Sequence, residues 1–228
     1  MNFLVTGGSS GLGKSLVEKL CSDKKNTVFF TYNLSKESAE AICYSNHNAH
    51  KIKCDFTQNS ETDKFIKIIQ SLNLNVFINN YYTGKFLYKH FHKIESDEFL
   101  NEFSKNIIPV IKITQEVIRE FRKKKSGEII TVLSESIKNP PIGTSMYVGN
   151  KFFLKGLSKI WAIENKKFGI NSRYICPPFM KTNFTKDIDE RFASLLIGKK
   201  PYSINNISDK IISSLNNALN DNEIEIKL

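Results

Sequence analysis

The chain of 228 residues has no apolar run approaching the roughly twenty residues that a membrane-spanning helix needs. Its first residues, Met1-Asn2-Phe3-Leu4-Val5, lead straight into a glycine-rich stretch, so no basic region followed by a long apolar segment marks a signal peptide. Cysteine is sparse: Cys21, Cys43, Cys54 and Cys176 lie scattered, with neither a C-x-x-C pair nor zinc-ligand spacing. That usage excludes a disulfide framework and fits reduced thiols in a cytoplasmic protein. Linkers, internal repeats and low-complexity segments are missing too, which makes one domain over residues 1–228 the economical expectation.

Charge of one sign does dominate. The formal net charge is +10, from 33 Lys and Arg against 23 Asp and Glu. A nucleic-acid-binding protein would carry such an excess as a patch. Here the lysines are dispersed, and the single dense run, Arg122-Lys123-Lys124-Lys125, precedes Ser126-Gly127 as a helix C-terminus would, where cations suit the helix dipole. A solvated basic surface is therefore the expectation, with no nucleic-acid and no membrane partner. A positive field would also suit a phosphorylated cofactor.

Apolar runs alternate with helical periodicity. Strands are predicted at Asn2–Thr6, Thr27–Tyr32, His50–Cys54, Asn75–Asn79, Glu128–Ser134 and Ile170–Cys176, with a short one at Glu223–Lys227. Helices are predicted at Leu12–Ser22, Lys36–Tyr44 with Ser35 as N-cap, Glu61–Leu72, Ser96–Lys124 with Ser96 as N-cap, Ser145–Lys167 with Gly169 near its end, and Ile207–Leu219. The strands are short apolar runs and not strict alternations, as in a parallel sheet covered on both faces. The fold class is α/β, a doubly wound Rossmann-type parallel sheet flanked by helices on both faces.

Three segments carry chemistry. Thr6-Gly7-Gly8-Ser9-Ser10-Gly11-Leu12-Gly13 joins the first strand to the first helix. Glycines there let the backbone turn and let phosphates approach, while the helix N-terminus offers N–H groups to a pyrophosphate. The spacing is neither G-x-G-x-x-G nor a P-loop, despite Lys14-Ser15 after Gly13. Tyr147 and Lys151 stand four apart on one helix face, thirteen residues after Ser134. A phenol is a poor base at neutral pH, and a neighbouring ammonium favours its ionised form. Taken alone, a Tyr-x-x-x-Lys pair is common on helix surfaces, and Ser136 is as good a candidate as Ser134.

In this order the segments resemble the short-chain dehydrogenase/reductase family. Its T-G-x-x-x-G-x-G loop is matched by Thr6, Gly7, Gly11 and Gly13, and its Y-x-x-x-K by Tyr147 and Lys151. Asp55 after the third strand, Asn79-Asn80 after the fourth, Asn106 within the long helix, Ser134 after the fifth strand and Asn171 through Pro177 continue the likeness over about residues 2–182. The resemblance implies an oxidoreductase acting on CH–OH donors, interconverting a ketone and a secondary alcohol with NADP(H), with NAD possible. Tyr147 would be the acid/base, Lys151 would tune it and hold the nicotinamide ribose, Ser134 would polarise the substrate oxygen, and Asn106 would hold a water in a proton relay. Cofactor-binding positions carried over are Thr6, Gly7, Ser9, Ser10, Gly11, Leu12, Gly13, Asn33, Ser35, Asp55, Phe56, Asn79, Asn80, Tyr81, Tyr147, Lys151, Pro177 and Thr182. Asp55 would meet the adenine; its plainer reading is a helix-entry cap near Thr57. No metal is implied, and the adjacent His90 and His92 lack further ligands.

The stretch Thr31-Tyr32-Asn33-Leu34-Ser35-Lys36 holds no acid to repel a 2′-phosphate, which favours NADP(H). Pro109 cannot donate to the carbonyl of Lys105 and should kink the long helix beside Asn106. The likeness also breaks. Where the family has N-N-A-G the chain reads Asn79-Asn80-Tyr81-Tyr82, and where it has P-G the chain reads Pro177-Pro178. The C-terminal glycine signature is missing. Tyr81, Tyr82, Phe86, Ile142, Met146, Phe179 and Met180 would wall the pocket, with Lys85 and Lys181 at its rim and a substrate loop over about 178–206. The same aromatic residues read equally as core. These departures motivate a rival reading, a catalytically weakened, nucleotide-binding redox sensor. The family implies a homodimer or homotetramer packed through Ser96–Lys124 and Ser145–Lys167, and a small carbonyl or alcohol substrate, with nucleotide sugars and acyl thioesters both fitting.

Overall fold

A computed structural model describes residues 1–84, 88–186, 188, 201–215 and 223–224. Seven parallel strands form one sheet: β1 (Asn2–Val5), β2 (Thr27–Tyr32), β3 (Ala49–Lys53), β4 (Val76–Asn79), β5 (Gly127–Val132), β6 (Ile170–Ile175) and β7 (Glu223–Ile224). Their spatial order is β3-β2-β1-β4-β5-β6-β7. Among the described residues seven helices connect or flank them: α1 (Gly11–Ser22), α2 (Lys36–Ser45), α3 (Asn59–Ile69), α4 (Ser96–Asn106), α5 (Ile108–Lys124), α6 (Ser145–Asn165) and α7 (Ile204–Leu215).

The central strands are buried on both faces, which is why they read as continuous apolar runs. On one face Leu16, Val17 and Leu20 of α1 and Ile207 and Ile211 of α7 pack over Val28, Phe30 and Ile78. On the other, Phe65 and Ile69 of α3 and Val117 and Phe121 of α5 pack over Phe77 and Ile129. A third cluster joins Ile107, Leu154 and Trp161 to Leu133 and Tyr174 beneath α6. The order reverses direction between β1 and β4, and a doubly wound sheet opens its binding crevice beyond the strand ends at such a switch.

The long predicted helix is two helices. It breaks at Ile107, which ends α4 and opens α5, and Pro109 sits in the first turn of α5, where its missing N–H costs nothing. Glu95, not Ser96, is the N-cap of α4. The third helix begins at Asn59 and ends at Ile69, short of the expected Leu72. The last helix starts at Ile204, three residues early; the predicted residues 216–219, and 225–227 of the last strand, lie outside the described residues. Lys125 takes the left-handed conformation at the end of α5, and the basic run there serves the helix end. Arg122 Nε donates to Asn165 Oδ1 at 2.7 Å, and Lys124 Nζ to the Leu74 carbonyl at 2.6 Å.

Candidate active site

The turn after β1 is held by its neighbours. Gly7 and Gly11 have positive φ (66° and 51°), a region costly for residues with a Cβ. A Cβ on Gly13 would lie 2.2 Å from the Gly7 carbonyl, so α1 can start this close to the turn only with glycine there. Gly7 N–H donates to Thr31 Oγ1 at 2.9 Å, and Thr6 Oγ1 accepts from the N–H groups of Asn80 and Tyr81, both at 3.1 Å. Asn80 Nδ2 donates to the carbonyls of Thr6 and Gly7 at 3.0 and 3.2 Å. Asn80 therefore acts on the turn itself. Asn79, at the end of β4, is buried. Ser10 precedes α1 without a capping bond from its side chain. This leaves the first N–H groups of α1 facing a cavity, as a pyrophosphate requires.

That cavity, of about 400 Å³, is lined by Gly7, Ser10, Gly11, Leu12, Gly13, Asn80, Tyr81, Ser134, Tyr147, Lys151, Pro177 and Thr182. These twelve are the lining residues that the sequence pointed to, eleven as cofactor positions, with Tyr147 and Lys151 catalytic as well, and Ser134 as catalytic alone; further residues complete the lining. Residues with the chemistry for an anionic nucleotide and for proton transfer thus share one space, and the glycine cradle fits a dinucleotide. Thr6, Ser9, Asn33, Ser35, Asp55, Phe56, Asn79 and Asn106 are not among its lining residues. Asn33 and Asp55 still meet. Burial pushes the Asp55 carboxyl up, but bonds from Thr57 and Asn33 hold it below the usual carboxylate range. Its Oδ1 accepts from Thr57 N–H at 2.9 Å and Thr57 Oγ1 at 2.7 Å, so it makes the helix-entry turn that the plainer reading foresaw. Ser9 accepts, through its carbonyl, from Ser38 Oγ at 2.8 Å.

Tyr147 lies in the first turn of α6 and Lys151 one turn on. Lys151 is 3% exposed, and its Nζ donates to the Val132 carbonyl at 2.9 Å. Burial lowers its pKa to about 7, against a small opposing pull from Cys176. Burial likewise pushes Tyr147 up to about 12, although a side-chain hydrogen bond with Ser134 draws it down. Desolvation thus sets the direction for the phenol, opposite to the lowering expected from a neighbouring ammonium. Ser134 Oγ accepts from Ser136 N–H at 3.2 Å and Ser136 Oγ at 2.8 Å, which leaves its own proton for Tyr147. Ser136, the equal candidate in sequence, feeds Ser134.

Asn106 is fully buried at the break between α4 and α5. Its Oδ1 accepts from Thr83 N–H at 2.7 Å, and its Nδ2 donates to the Glu102 carbonyl at 3.1 Å and to Glu102 Oε2 at 3.2 Å. Through these bonds the side chain pins the loop after β4 to the end of α4. In that loop the two tyrosines diverge. Tyr81 turns into the core, edge-on to Phe56 at 4.8 Å, with its hydroxyl donating to the Lys105 carbonyl at 3.1 Å. Tyr82 turns into the cavity, edge-on to Tyr147 at 5.1 Å.

Phe179 and Met180 line the cavity as expected, whereas Ile142 is exposed and Met146 is core. Lys85 and Phe86 lie outside the described residues. Phe184 and Tyr202 were missed as lining residues; nothing local in the sequence signals them, because the chain between them carries no motif. Among the described residues no group of three or more His, Cys, Asp or Glu side chains is placed to hold a metal ion, and no helix is long and apolar enough to cross a membrane.

Comparison with known proteins agrees with this geometry. The chain is 27% identical to 3-oxoacyl-(acyl-carrier-protein) reductase of Buchnera aphidicola, over 87% of this chain and 81% of that protein. It is 27% identical to mouse 17-beta-hydroxysteroid dehydrogenase type 3, over 82% of this chain but only 63% of the mouse protein. Among solved structures it resembles a closed form of serine dehydrogenase complexed with NADP+ (TM-score 0.85, 17% identity, 99% of this chain and 94% of that one). A short-chain dehydrogenase from Streptomyces avermitilis is also similar (TM-score 0.84, 20% identity, 99% and 88% covered). The family model described as short chain dehydrogenase matches residues 2–192, and the chain belongs to that family of oxidoreductases.

Proposed function

We propose that the chain is an NADP(H)-dependent oxidoreductase that interconverts a ketone and a secondary alcohol. The observation that carries this reading is the convergence of the glycine turn, Ser134, Tyr147 and Lys151 on one cavity. A bound nicotinamide would supply or accept the hydride. Gly7, Ser10, Gly11, Leu12 and Gly13 would hold its pyrophosphate, and Lys151 its ribose. Tyr147 would give its hydroxyl proton to the carbonyl oxygen, or take it back in the reverse direction. Ser134 would hydrogen-bond that oxygen as negative charge develops. To do so it must redirect the proton it now spends on Tyr147. Asn33, Ser35, Asp55 and Phe56 would serve the adenine end, with Ser9 and Asn79 behind the turn.

The absence of an acid from Thr31 to Lys36 supports NADP(H) over NAD(H). Solved relatives are divided: one is complexed with NADP+ and a 3-ketoacyl-(acyl-carrier-protein) reductase from Brucella melitensis with NADH. Similarity to 3-oxoacyl reductases makes an acyl-thioester ketone the first substrate to test. We take the chain as one domain, with a substrate loop over about 178–206 whose described part contributes Pro178, Phe179, Met180, Phe184 and Tyr202 to the cavity. Residues 187, 189–200 of that loop lie outside the described residues. The exposed Leu100 on α4 and Phe152, Phe153, Ile160 and Ile163 on α6 support a homodimer or homotetramer through these helices. Free cysteines, three of them buried, suit a cytoplasmic protein.

One observation favours the second reading, a catalytically weakened redox sensor: the Tyr82 ring occupies the space beside Tyr147 and Lys151. Calorimetric titration with NADPH and then NADH, followed by a ketone screen, separates the two. Binding with turnover supports the enzyme, and binding without turnover across acyl-thioester and simple ketones supports the sensor. Binding of neither cofactor by folded protein overturns both.

A further inference from the structure

Tyr82 stands where the family resemblance expects a glycine, and the protein has built around it. Its backbone is pinned on both sides, by Tyr81 N–H on Thr6 Oγ1 at 3.1 Å and by Thr83 N–H on Asn106 Oδ1 at 2.7 Å. Its hydroxyl accepts from Asn150 Nδ2 at 3.3 Å, and Asn150 directly precedes Lys151 on α6. The ring meets Tyr147 edge-on at 5.1 Å and Phe184 edge-on at 5.4 Å, while Phe184 lies 5.4 Å from Tyr147, closing a three-ring group. Lys151 Nζ stands 4.9 Å from the Tyr82 ring centre and 5.7 Å from that of Tyr147. A ring at this distance attracts an ammonium but also excludes water from it, and because burial is the leading cause of the lowered Lys151 pKa, the drying outweighs the attraction.

We propose that Tyr82 is a positioning residue for the Tyr147–Lys151 pair: its ring walls the lysine against the Val132 carbonyl and braces the Tyr147 ring beside Ser134. The inference deepens the oxidoreductase reading and rests on it for the word positioning; the contacts themselves stand on the structure. A glycine at this position would leave Lys151 open to water from the cavity. Tyr82 supplies from the protein a wall that dries the lysine before any ligand arrives. Among the described residues the titratable groups facing Lys151 are Tyr82 from the loop after β4, Tyr147 from its own helix, and Cys176 just past the end of β6.

The test uses the full-length, ligand-free protein carrying ε-¹³C-lysine, with the Lys151 resonance assigned through Lys151→Met. Wild type should titrate near 7. Tyr82→Gly should move that titration upward by about one pH unit or more, because hydration returns to the ammonium. Tyr82→Phe keeps the ring and should restore the wild-type value. If Tyr82→Gly fails to give a cooperative melt, Tyr82→Ser takes its place. An unchanged titration in the folded small-residue variant overturns the proposal, as does an equal shift in Tyr82→Phe. Tighter NADPH binding with an unchanged titration would make Tyr82 an obstruction and also overturns it. NADPH calorimetry on wild type stands apart: failure to bind there removes the oxidoreductase reading, while the ligand-free titration still decides whether Tyr82 sets the state of Lys151.

Discussion

Lys151 Nζ donates to the carbonyl of Val132, the last residue of β5, so the helix carrying the Tyr-x-x-x-Lys pair is anchored to the sheet by its own lysine. The bond fixes where the ammonium sits and removes it from water. Its folded pKa, about 7, lies below the ordinary lysine value of 10.5. Between those two values the unfolded chain binds more protons than the folded one, so this group adds stability as pH rises. Below pH 7 both states carry the proton and the burial cost stands in full. Wild type should therefore gain on Lys151→Met as pH is raised from 7 to 10, by on the order of 1 kcal/mol per unit. Urea melts of both proteins across that range provide the measurement, and a constant gap between them would show that the lysine is charged when folded.

Tyr147→Phe removes one oxygen and leaves the ring against Tyr82 and Phe184. NADPH affinity should stay within a few-fold, and turnover should fall by about 10²–10⁴. Calorimetry and initial rates on the same preparation check both halves. Substantial residual turnover would move the proton-transfer role to another group.

Asn80→Ala should loosen the turn after β1. Two backbone carbonyls, those of Thr6 and Gly7, lose their donor, at a cost of about 1–3 kcal/mol. Dinucleotide binding should weaken alongside stability, since the same turn would hold the pyrophosphate. A thermal melt with and without NADPH reads both effects. Loss of stability with unaltered affinity would detach Asn80 from the site.

Gly13→Ala places a methyl group 2.2 Å from the Gly7 carbonyl. Backbone must shift, with a cost of about 1–3 kcal/mol, as overpacking usually brings. The displaced α1 N-terminus should lower NADPH affinity by more than tenfold. An unperturbed melt would mean that the turn and the helix are less closely packed than the structure has them.

Strand and helix alternation was readable because each element keeps its own period over enough residues to register. The glycine turn, Ser134, Tyr147 and Lys151 were readable for a different reason: they are local patterns whose spacing survives in one dimension, and the cavity collects them. What sequence could not convey was how polar side chains are spent. Asn106 reads as a water holder by resemblance, and the sequence does not show that its amide also bonds Thr83 and Glu102, which lie near it because α4 ends under the loop after β4. Tyr81 and Tyr82 are adjacent and chemically alike, and the ring of one packs on Phe56 while that of the other packs on Tyr147. Desolvation of Tyr147 and Lys151 depends on how deeply α6 sits on β5 and β6, which no spacing encodes.

The placement of β1 sets an order of assembly. β1 pairs with β2 through Asn2↔Thr27 to Val5↔Phe30, and its other edge waits for β4, made later, where Phe3 pairs with Val76. Until that later strand is made, neither Asn80 nor the Tyr81 amide is present to organise the turn after β1. Closing a loop of this length early is entropically unfavourable, and parallel sheets with such distant partners fold slowly. The glycine turn is thus encoded well before the strand that completes it, and a nascent chain stalled before β4 should show no protection of that turn.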